Sequence, residues 1–403
     1  MSHTTTAGID IGSHTVRIVI AREREGGAGM EILGTGSAES RGIRNGYIAH
    51  VNEATRSIKE ALARAEKAAG MPVRRALVSL GGISLESALS SGSVMISRID
   101  GKVTDADILR VMEVAGANIN FNNRKIIHSF PVRFRLDNKD VLGRPRGMQG
   151  VKFEVKMLFV TALSQHLDDL IAAVENAGVD VEDIVASPLA ASVVTLSKAQ
   201  RTAGCVLANI GAETVSIAVF EDDQLVSLEV FPIGSTHITN DIALGLKIPL
   251  EEAEALKTGV ARTASIGFSQ KRLDEIVEAR LRDIFDLVQT HLKKIGRNGL
   301  LPAGIVFTGG GISGEPLEEI ARSALALPAR VATLRGAAPS PRNAKTSTEE
   351  RGSSLPTAWS VAYGLCLLGS GGYTSDFFEF NRATNKIHTH VFKALDWLKQ
   401  FMP

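Results

Sequence analysis

The chain is poor in cysteine, in aromatic residues and in net charge, and each shortage removes a class of function. Its 403 residues include two cysteines, Cys205 and Cys366, in apolar contexts far apart in sequence. That is too few for a disulfide-stapled fold and fits buried thiols in a reducing cytosol. Formal net charge is +1, so no overall field draws the chain to nucleic acid or acidic lipid. Nucleic acid is not expected as a partner, and any membrane contact must be local. The nine histidines show no metal-ligand spacing. No run approaches the roughly 20 apolar residues that span a bilayer. The best, Ser360–Leu368, is short, contains a glycine and reads as a buried core helix. Residues Met1–Thr6 carry no basic-then-apolar leader, so the expectation is a soluble or peripheral cytoplasmic protein.

What is present is ordinary core-forming material, 44% hydrophobic and 22% charged, enough for two or more domains. Residues 6–36 read as three strands, with Val16, Ile18 and Ile20 alternating in the second. Residues 52–69 have helical spacing, with Ile58, Leu62 and Ala65 on one face and Asn52 as cap. Ala76–Leu80 reads as a short buried strand. Residues 83–160 change character and read as a small α+β insertion. One helix there, about Asp105–Ala115, opens on a capping-box pattern of Thr104 and Asp107. Residues 161–201 read as helical. Cys205–Leu228 repeats the strand, turn, strand order of residues 7–34, which suggests an internal duplication. Residues 236–297 read as mostly helical. Ile305–Thr308 is a strand running into Gly309-Gly310-Gly311, with a helix after it. Residues 336–355 read as an exposed loop, 369–388 as a polar tether and 389–402 as a helix.

The chemistry concentrates in the repeated hairpins. The first is Gly8-Ile9-Asp10-Ile11-Gly12-Ser13-His14-Thr15-Val16. The second is Ala208-Asn209-Ile210-Gly211-Ala212-Glu213-Thr214-Val215-Ser216. A turn of Gly and Ser gathers backbone N–H groups into an anion cradle. Asp10, just before the first turn, can hold Mg²⁺ through water. The bland alternative is a structural turn, since Gly and Ser serve any turn. Gly309, Gly310 and Gly311 offer bare backbone that can lie beneath a purine. Glu254 and Lys257 stand i, i+3 on a helix. They either reach a ribose or adenine, or form a solvated ion pair.

In this order the motifs resemble the actin/Hsp70/sugar-kinase ATPase superfamily, and within it the bacterial FtsA family. The resemblance also runs through Gly42-Ile43-Arg44-Asn45-Gly46, Ala186-Ser187-Pro188-Leu189-Ala190, Ile238–Ala243, Ala253–Lys257 and Tyr363-Gly364-Leu365. It implies an α/β, two-lobed actin-like ATPase fold with duplicated ribonuclease-H-like domains, an inserted α+β subdomain and a C-terminal amphipathic helix. The implied parts are a first domain (1–82 and 161–202), the insertion (83–160), a second domain (203–235 and 301–370), a helical subdomain (236–300), a tether (371–388) and the helix (389–403). It implies ATP and Mg²⁺ as cofactors. The nucleotide would be held by Asp10, Gly12, Ser13, His14 and Thr15, by Gly211, Ala212, Glu213 and Thr214, by Glu254 and Lys257, and by Gly309–Gly311, with Asp10 also on the metal.

The second hairpin departs from the family form Asp-Ile-Gly-Gly-Gly-Thr-Thr-Asp. Asn209 and Ser216 replace both acids, and Asn is neither a general base nor a charged metal ligand. Glu213 brings negative charge near the phosphate position, points away, or takes over metal coordination. The expectation is nucleotide binding with slow or absent hydrolysis. In the tail, Val391, Phe392, Leu395, Trp397, Leu398, Phe401 and Met402 share one helical arc opposite Lys393, Asp396, Lys399 and Gln400. That arc fits an interfacial anchor, or docking on a protein groove. The family likeness favours the membrane. It further implies filaments of this chain, the C-terminal tail of FtsZ as partner at residues 236–300, other division proteins, and a place on the cytoplasmic face of the inner membrane at the division site. The rival readings are a small-molecule kinase of the same superfamily and a pilus-assembly actin-like partner protein.

Overall fold

Alternating apolar residues make the strands, and their pairing builds two sheets of the same design. The computed structural model describes residues 5–24, 29–119, 122–141, 143–260, 269–311, 315–334, 337–339 and 355–370. The first lobe begins with β1 (Thr5–Ile11), β2 (Thr15–Glu23), β3 (Met30–Glu39), the short pair β4 (Ile43–Arg44) and β5 (Tyr47–Ile48), α1 (Val51–Ala69) and β6 (Arg75–Leu80). The insertion holds β7 (Glu86–Met95), α2 (Asp105–Ala117), β8 (Arg124–Leu136), β9 (Lys139–Val141) and β10 (Lys152–Leu163). Then come α3 (Ser164–Glu175), β11 (Asp180–Ala186), α4 (Ser187–Thr195) and α5 (Lys198–Ala203). The second lobe has β12 (Cys205–Ile210), β13 (Val215–Glu221), β14 (Gln224–Phe231), α6 (Ser235–Leu246), α7 (Leu250–Lys257), α8 (Gln270–Lys294), β15 (Ile305–Thr308), α9 (Glu315–Leu325) and β16 (Ala329–Val331). The described chain closes with β17 (Ala337–Pro339), a 3₁₀ turn at Thr357–Trp359 and α10 (Ser360–Ser370).

The first sheet runs β11-β6-β1-β2-β3-β17 and the second β14-β13-β12-β15-β16. In each, an antiparallel three-strand meander meets two parallel strands at its first member: β1 pairs β6, and β12 pairs β15. Even the hairpin registers correspond. Asp10 faces Arg17 and Ile11 faces Val16, as Asn209 faces Ser216 and Ile210 faces Val215. The internal duplication read from the sequence is therefore a duplication of topology.

Close backbone contacts of helix on strand and helix on helix lock the first lobe. A Cβ on Gly36 would stand 2.1 Å from the Ala61 carbonyl of α1, and one on Gly364 would stand 1.9 Å from the Ala190 carbonyl of α4. Ser360–Leu368 is the buried helix its composition indicated. Sequence order put it with the second domain, but it packs on the first lobe. Val361 and Leu365 join the core of that lobe, and Tyr363 and Cys366 pack with Val19, Ala21 and Met30.

The insertion forms a four-stranded antiparallel sheet, β7-β10-β8-β9, with α2 against it. The capping box is formed as read: Asp107 N–H donates to Thr104 Oγ1 at 3.3 Å, and Thr104 N–H to Asp107 Oδ2 at 3.0 Å. Arg133 and Arg135 alternate on β8, both paired to Asp140 on an exposed face.

Three local readings need correction. Helix α1 starts one residue earlier, with His50 rather than Asn52 at the cap. Residues 180–186 form a strand, not a helix, because they pair in parallel with β6. Within the stretch read as an exposed loop, Ala337–Pro339 adds to the edge of the first sheet beside β3. The tether and the apolar tail arc, including Val391, Phe392, Leu395, Trp397, Leu398, Phe401 and Met402, lie outside the described residues.

Candidate nucleotide site between the hairpins

The two hairpins open onto one cavity of about 740 Å³, a size suited to a small-molecule ligand. Asp10, Gly12, Ser13, His14 and Thr15 line it from the first lobe. Gly211, Ala212, Thr214, Glu254, Lys257, Gly309, Gly310 and Gly311 line it from the second. Of the proposed contacts, only Glu213 is not among the lining residues. Its carboxylate accepts a hydrogen bond from the Asn45 N–H of the first lobe at 2.5 Å. Of the three positions open to Glu213, it takes one turned from the cavity, and in doing so fastens the lobes together.

Each turn is buttressed from behind. Ser40 Oγ donates to the Gly12 carbonyl at 2.6 Å, and Gly46 N–H donates to Ser13 Oγ at 2.9 Å. In the second hairpin, the N–H groups of Ser235 and Thr236, at the start of α6, bond the carbonyls of Gly211 and Ala212 at 2.9 and 2.8 Å. The triple glycine packs directly on this hairpin. Gly309 has φ +108°, and a Cβ there would lie 2.3 Å from the Ile210 carbonyl. One on Gly311 would lie 2.7 Å from the Gly211 carbonyl. Glycine is needed here for close backbone approach as well as for any ligand.

Asp10 is half-buried at the cleft floor, and its Oδ1 accepts from Ser79 Oγ at 2.7 Å. Burial raises its pKa, opposed by the Ser79 hydroxyl and the Arg17 charge. Among the described residues no cluster of three or more His, Cys, Asp or Glu could hold a metal by itself. One carboxylate beside a phosphate cradle still fits Mg²⁺, which keeps several waters and shares phosphate oxygens. Across the cavity, Lys257 Nζ stands 2.7 Å from Glu254 Oε2, and Thr239 Oγ1 donates to the same oxygen at 2.6 Å. Burial pushes the Glu254 pKa up, but the bonds from Lys257 and Thr239 prevail and hold it below the usual range. The pair is thus tied to α6 and is not a loose surface ion pair. Sequence reading missed Arg17 and Ser79 as lining residues, while Asn209 and Ser216, read as replacing the acids of the second hairpin, line the cavity too. Hairpin register was the available signal, since it makes Arg17 the direct partner of Asp10.

A family model described as Cell division protein FtsA matches residues 206–350, and one described as the SHS2 domain inserted in FtsA matches residues 82–161. Cell division protein FtsA of Bacillus subtilis is 30% identical over 344 residues, covering 81% of this chain and 78% of that protein. Its counterpart in Pseudomonas aeruginosa is 31% identical over 343 residues, covering 80% and 82%. The chain belongs to the FtsA family. Among solved structures, the PilM–PilN type IV pilus biogenesis complex superposes with a TM-score of 0.66 at 17% identity, covering 91% of this chain and 98% of that one. That likeness speaks to the fold, and with the FtsA matches it makes this a two-lobed actin-like architecture carrying the FtsA insertion. No helix among the described residues is long and apolar enough to cross a membrane.

Proposed function

We propose that this FtsA-family protein is a nucleotide-bound scaffold of bacterial cell division. The observation that carries the nucleotide reading is the pair of hairpins in matched register facing one cavity. ATP would lie with its phosphates between the turns at Gly12–Thr15 and Gly211–Thr214. Mg²⁺ would be held from Asp10 through water, and the sugar and base would lie toward Glu254, Lys257 and Gly309–Gly311. With Asn209 and Ser216 neutral, the second lobe offers no carboxylate at this register pair to activate water. The cleft therefore holds nucleotide far longer than it turns it over. An ATPase rate like that of an ordinary kinase or chaperone, lost in Asp10→Ala, would overturn this and favour the kinase reading.

Family membership supports the wider role. The chain would polymerise on the cytoplasmic membrane, engage lipid through residues 389–402, and hold FtsZ filaments by their C-terminal tails at the helical region 236–300. One amphipathic helix binds weakly, and many copies on a filament bind by avidity. We propose the domain bounds read from the sequence, with residues 360–370 joined to the first lobe. Co-sedimentation with anionic vesicles tests the anchor. The full chain should pellet with vesicles, more so with ATP, and a 1–388 truncation should not. Equal pelleting removes the anchor and leaves the pilus-type partner reading.

A further inference from the structure

We propose that the insertion senses the state of the cleft through a seam at Ser87, which bonds its edge strand β7 to the edge strand β14 of the second lobe; the inference rests on the nucleotide reading above. The insertion is rooted in the first lobe. Its entry lies against the Asn45–Gly46 turn, where Ile83 N–H donates to the Asn45 carbonyl at 3.1 Å and a Cβ on Gly82 would stand 2.6 Å from the Gly46 carbonyl. Strand β14 ends the second sheet and β7 ends the insertion sheet, so each has one edge with no strand beside it. Ser87 closes that gap at Leu228. Its Oγ accepts from Leu228 N–H at 2.9 Å and donates to the Leu228 carbonyl at 2.6 Å. One hydroxyl thus satisfies both backbone groups of an edge residue. The Leu228 side chain belongs to the same buried core as Phe130 and Leu158 of the insertion.

The residues flanking Leu228 are tied the other way, to the helix that walls the cavity. Ser227 Oγ and His291 Nε2 are 2.8 Å apart, His291 Nδ1 stands 3.5 Å from Glu229 Oε2, and the ring meets Phe231 edge-on. His291 lies near the end of α8, whose Leu273, Val277 and Leu281 line the cavity. From Leu273 to His291 the helix rises roughly 27 Å. Arg280 forks onto Asp241 of α6 at 2.6 and 3.0 Å, so α8 moves with the helix whose start holds the second hairpin. The cavity wall, β14 and the insertion are therefore joined in series. An insertion rooted in one lobe and bonded to the other cannot keep both attachments when the lobes rotate. With the lobes fastened as here the seam is made, and opening of the cleft breaks it and frees β7.

Hydrogen exchange read by mass spectrometry on the full chain, with and without ATP, tests this in the wild type, Ser87→Ala and Ser87→Thr, with ATP affinity from calorimetry. Ser87 is not among the residues lining the cavity, so these variants leave the ligand contacts untouched. In the wild type, ATP should slow exchange in β7 about 5- to 10-fold, the range of one hydrogen bond. In Ser87→Ala that ATP-dependent ratio should vanish in β7 while α1 exchanges as in the wild type, which shows that the variant is folded. ATP should also bind it about 5-fold more weakly, because coupling is reciprocal. Ser87→Thr keeps the hydroxyl and should keep both properties. A hydroxyl that only props the insertion would raise β7 exchange equally with and without ATP and leave the ratio intact. That result overturns the inference while the nucleotide reading stands. So does a wild type that binds ATP without slowing β7, an unchanged ATP affinity in Ser87→Ala, or loss of the ratio in Ser87→Thr. A wild type that binds no ATP overturns both.

Discussion

Glu213 occupies a position where the family form has glycine, and it holds the two lobes together. The donor it meets is well organised. Asn45 has φ +48° and Gly46 φ +75°, a tight left-handed turn that Asn and Gly tolerate. A Cβ on Gly46 would stand 2.6 Å from Gly82 Cα. Gly46 N–H is tied to Ser13 Oγ at 2.9 Å, and the Asn45 carbonyl accepts from Ile83 N–H at 3.1 Å. One turn thus links the first hairpin, the second hairpin and the entry to the insertion. A hydrogen bond to a charged group contributes roughly 1.5–3 kcal/mol. Both partners are half-buried, so the lower end, about 1.5 kcal/mol, applies. Since about 1.4 kcal/mol is a factor of ten, Glu213→Ala should shift the closed-to-open ratio of the cleft about tenfold toward open. The assay is single-molecule energy transfer between dyes on Lys59→Cys in α1 and Glu275→Cys in α8, both exposed. The native thiols will not interfere, because burial pushes Cys205 and Cys366 up to about 12. Glu221→Ala, which removes an ion pair with Arg297 inside the second lobe, serves as control. An unchanged distance distribution in Glu213→Ala, or the same shift in the control, would refute the latch.

Further predictions concern stability. Gly364→Ala drives a methyl into the Ala190 carbonyl, a backbone atom that no rotamer change can move. It should cost about 3 kcal/mol, read as a lower denaturant midpoint. Burial lowers the His128 pKa to about 3 and that of His291 to about 4, so both are neutral when folded and take up protons only on unfolding. Stability is then full above about pH 6.5 and falls as pH drops toward 4 for His291 and 3 for His128, with a slope of up to about 1.4 kcal/mol per pH unit from His128. Urea titrations between pH 6.5 and 5 should show this loss, reduced in His291→Gln. Thr104→Ala removes the capping box of α2 and should cost about 1 kcal/mol. The loss should appear as faster amide exchange in α2 and leave α1 unchanged.

How much of this was legible in the sequence differs from element to element. Alternation in β2 and the Gly12-Ser13 turn before it marked a hairpin without outside help. The same pattern at Cys205–Leu228 marked its copy, and Thr104 with Asp107 marked the start of α2, because capping is local chemistry. Strand β11 was not legible. Its segment Asp180–Ala186 is buried only at its C-terminal end, so it shows no alternation and exists through its ladder with β6. Strand β17 likewise depends on the exposed edge of β3. For the site, the residue types of Asp10, Glu254 and Lys257 and the glycines at 309–311 announced ligand chemistry. Whether they faced one cavity did not follow from their order.

The sequence by itself determined two hairpins of one pattern, an insertion, and the loss of acids from the second hairpin, since periodicity, turn chemistry and side-chain type are carried by neighbouring residues. Only the tertiary structure decided that Glu213 turns to Asn45 and that α10 returns to the first lobe. Those contacts join residues up to hundreds of positions apart. Direction across a cleft is set by how two sheets pack, and no local pattern encodes it.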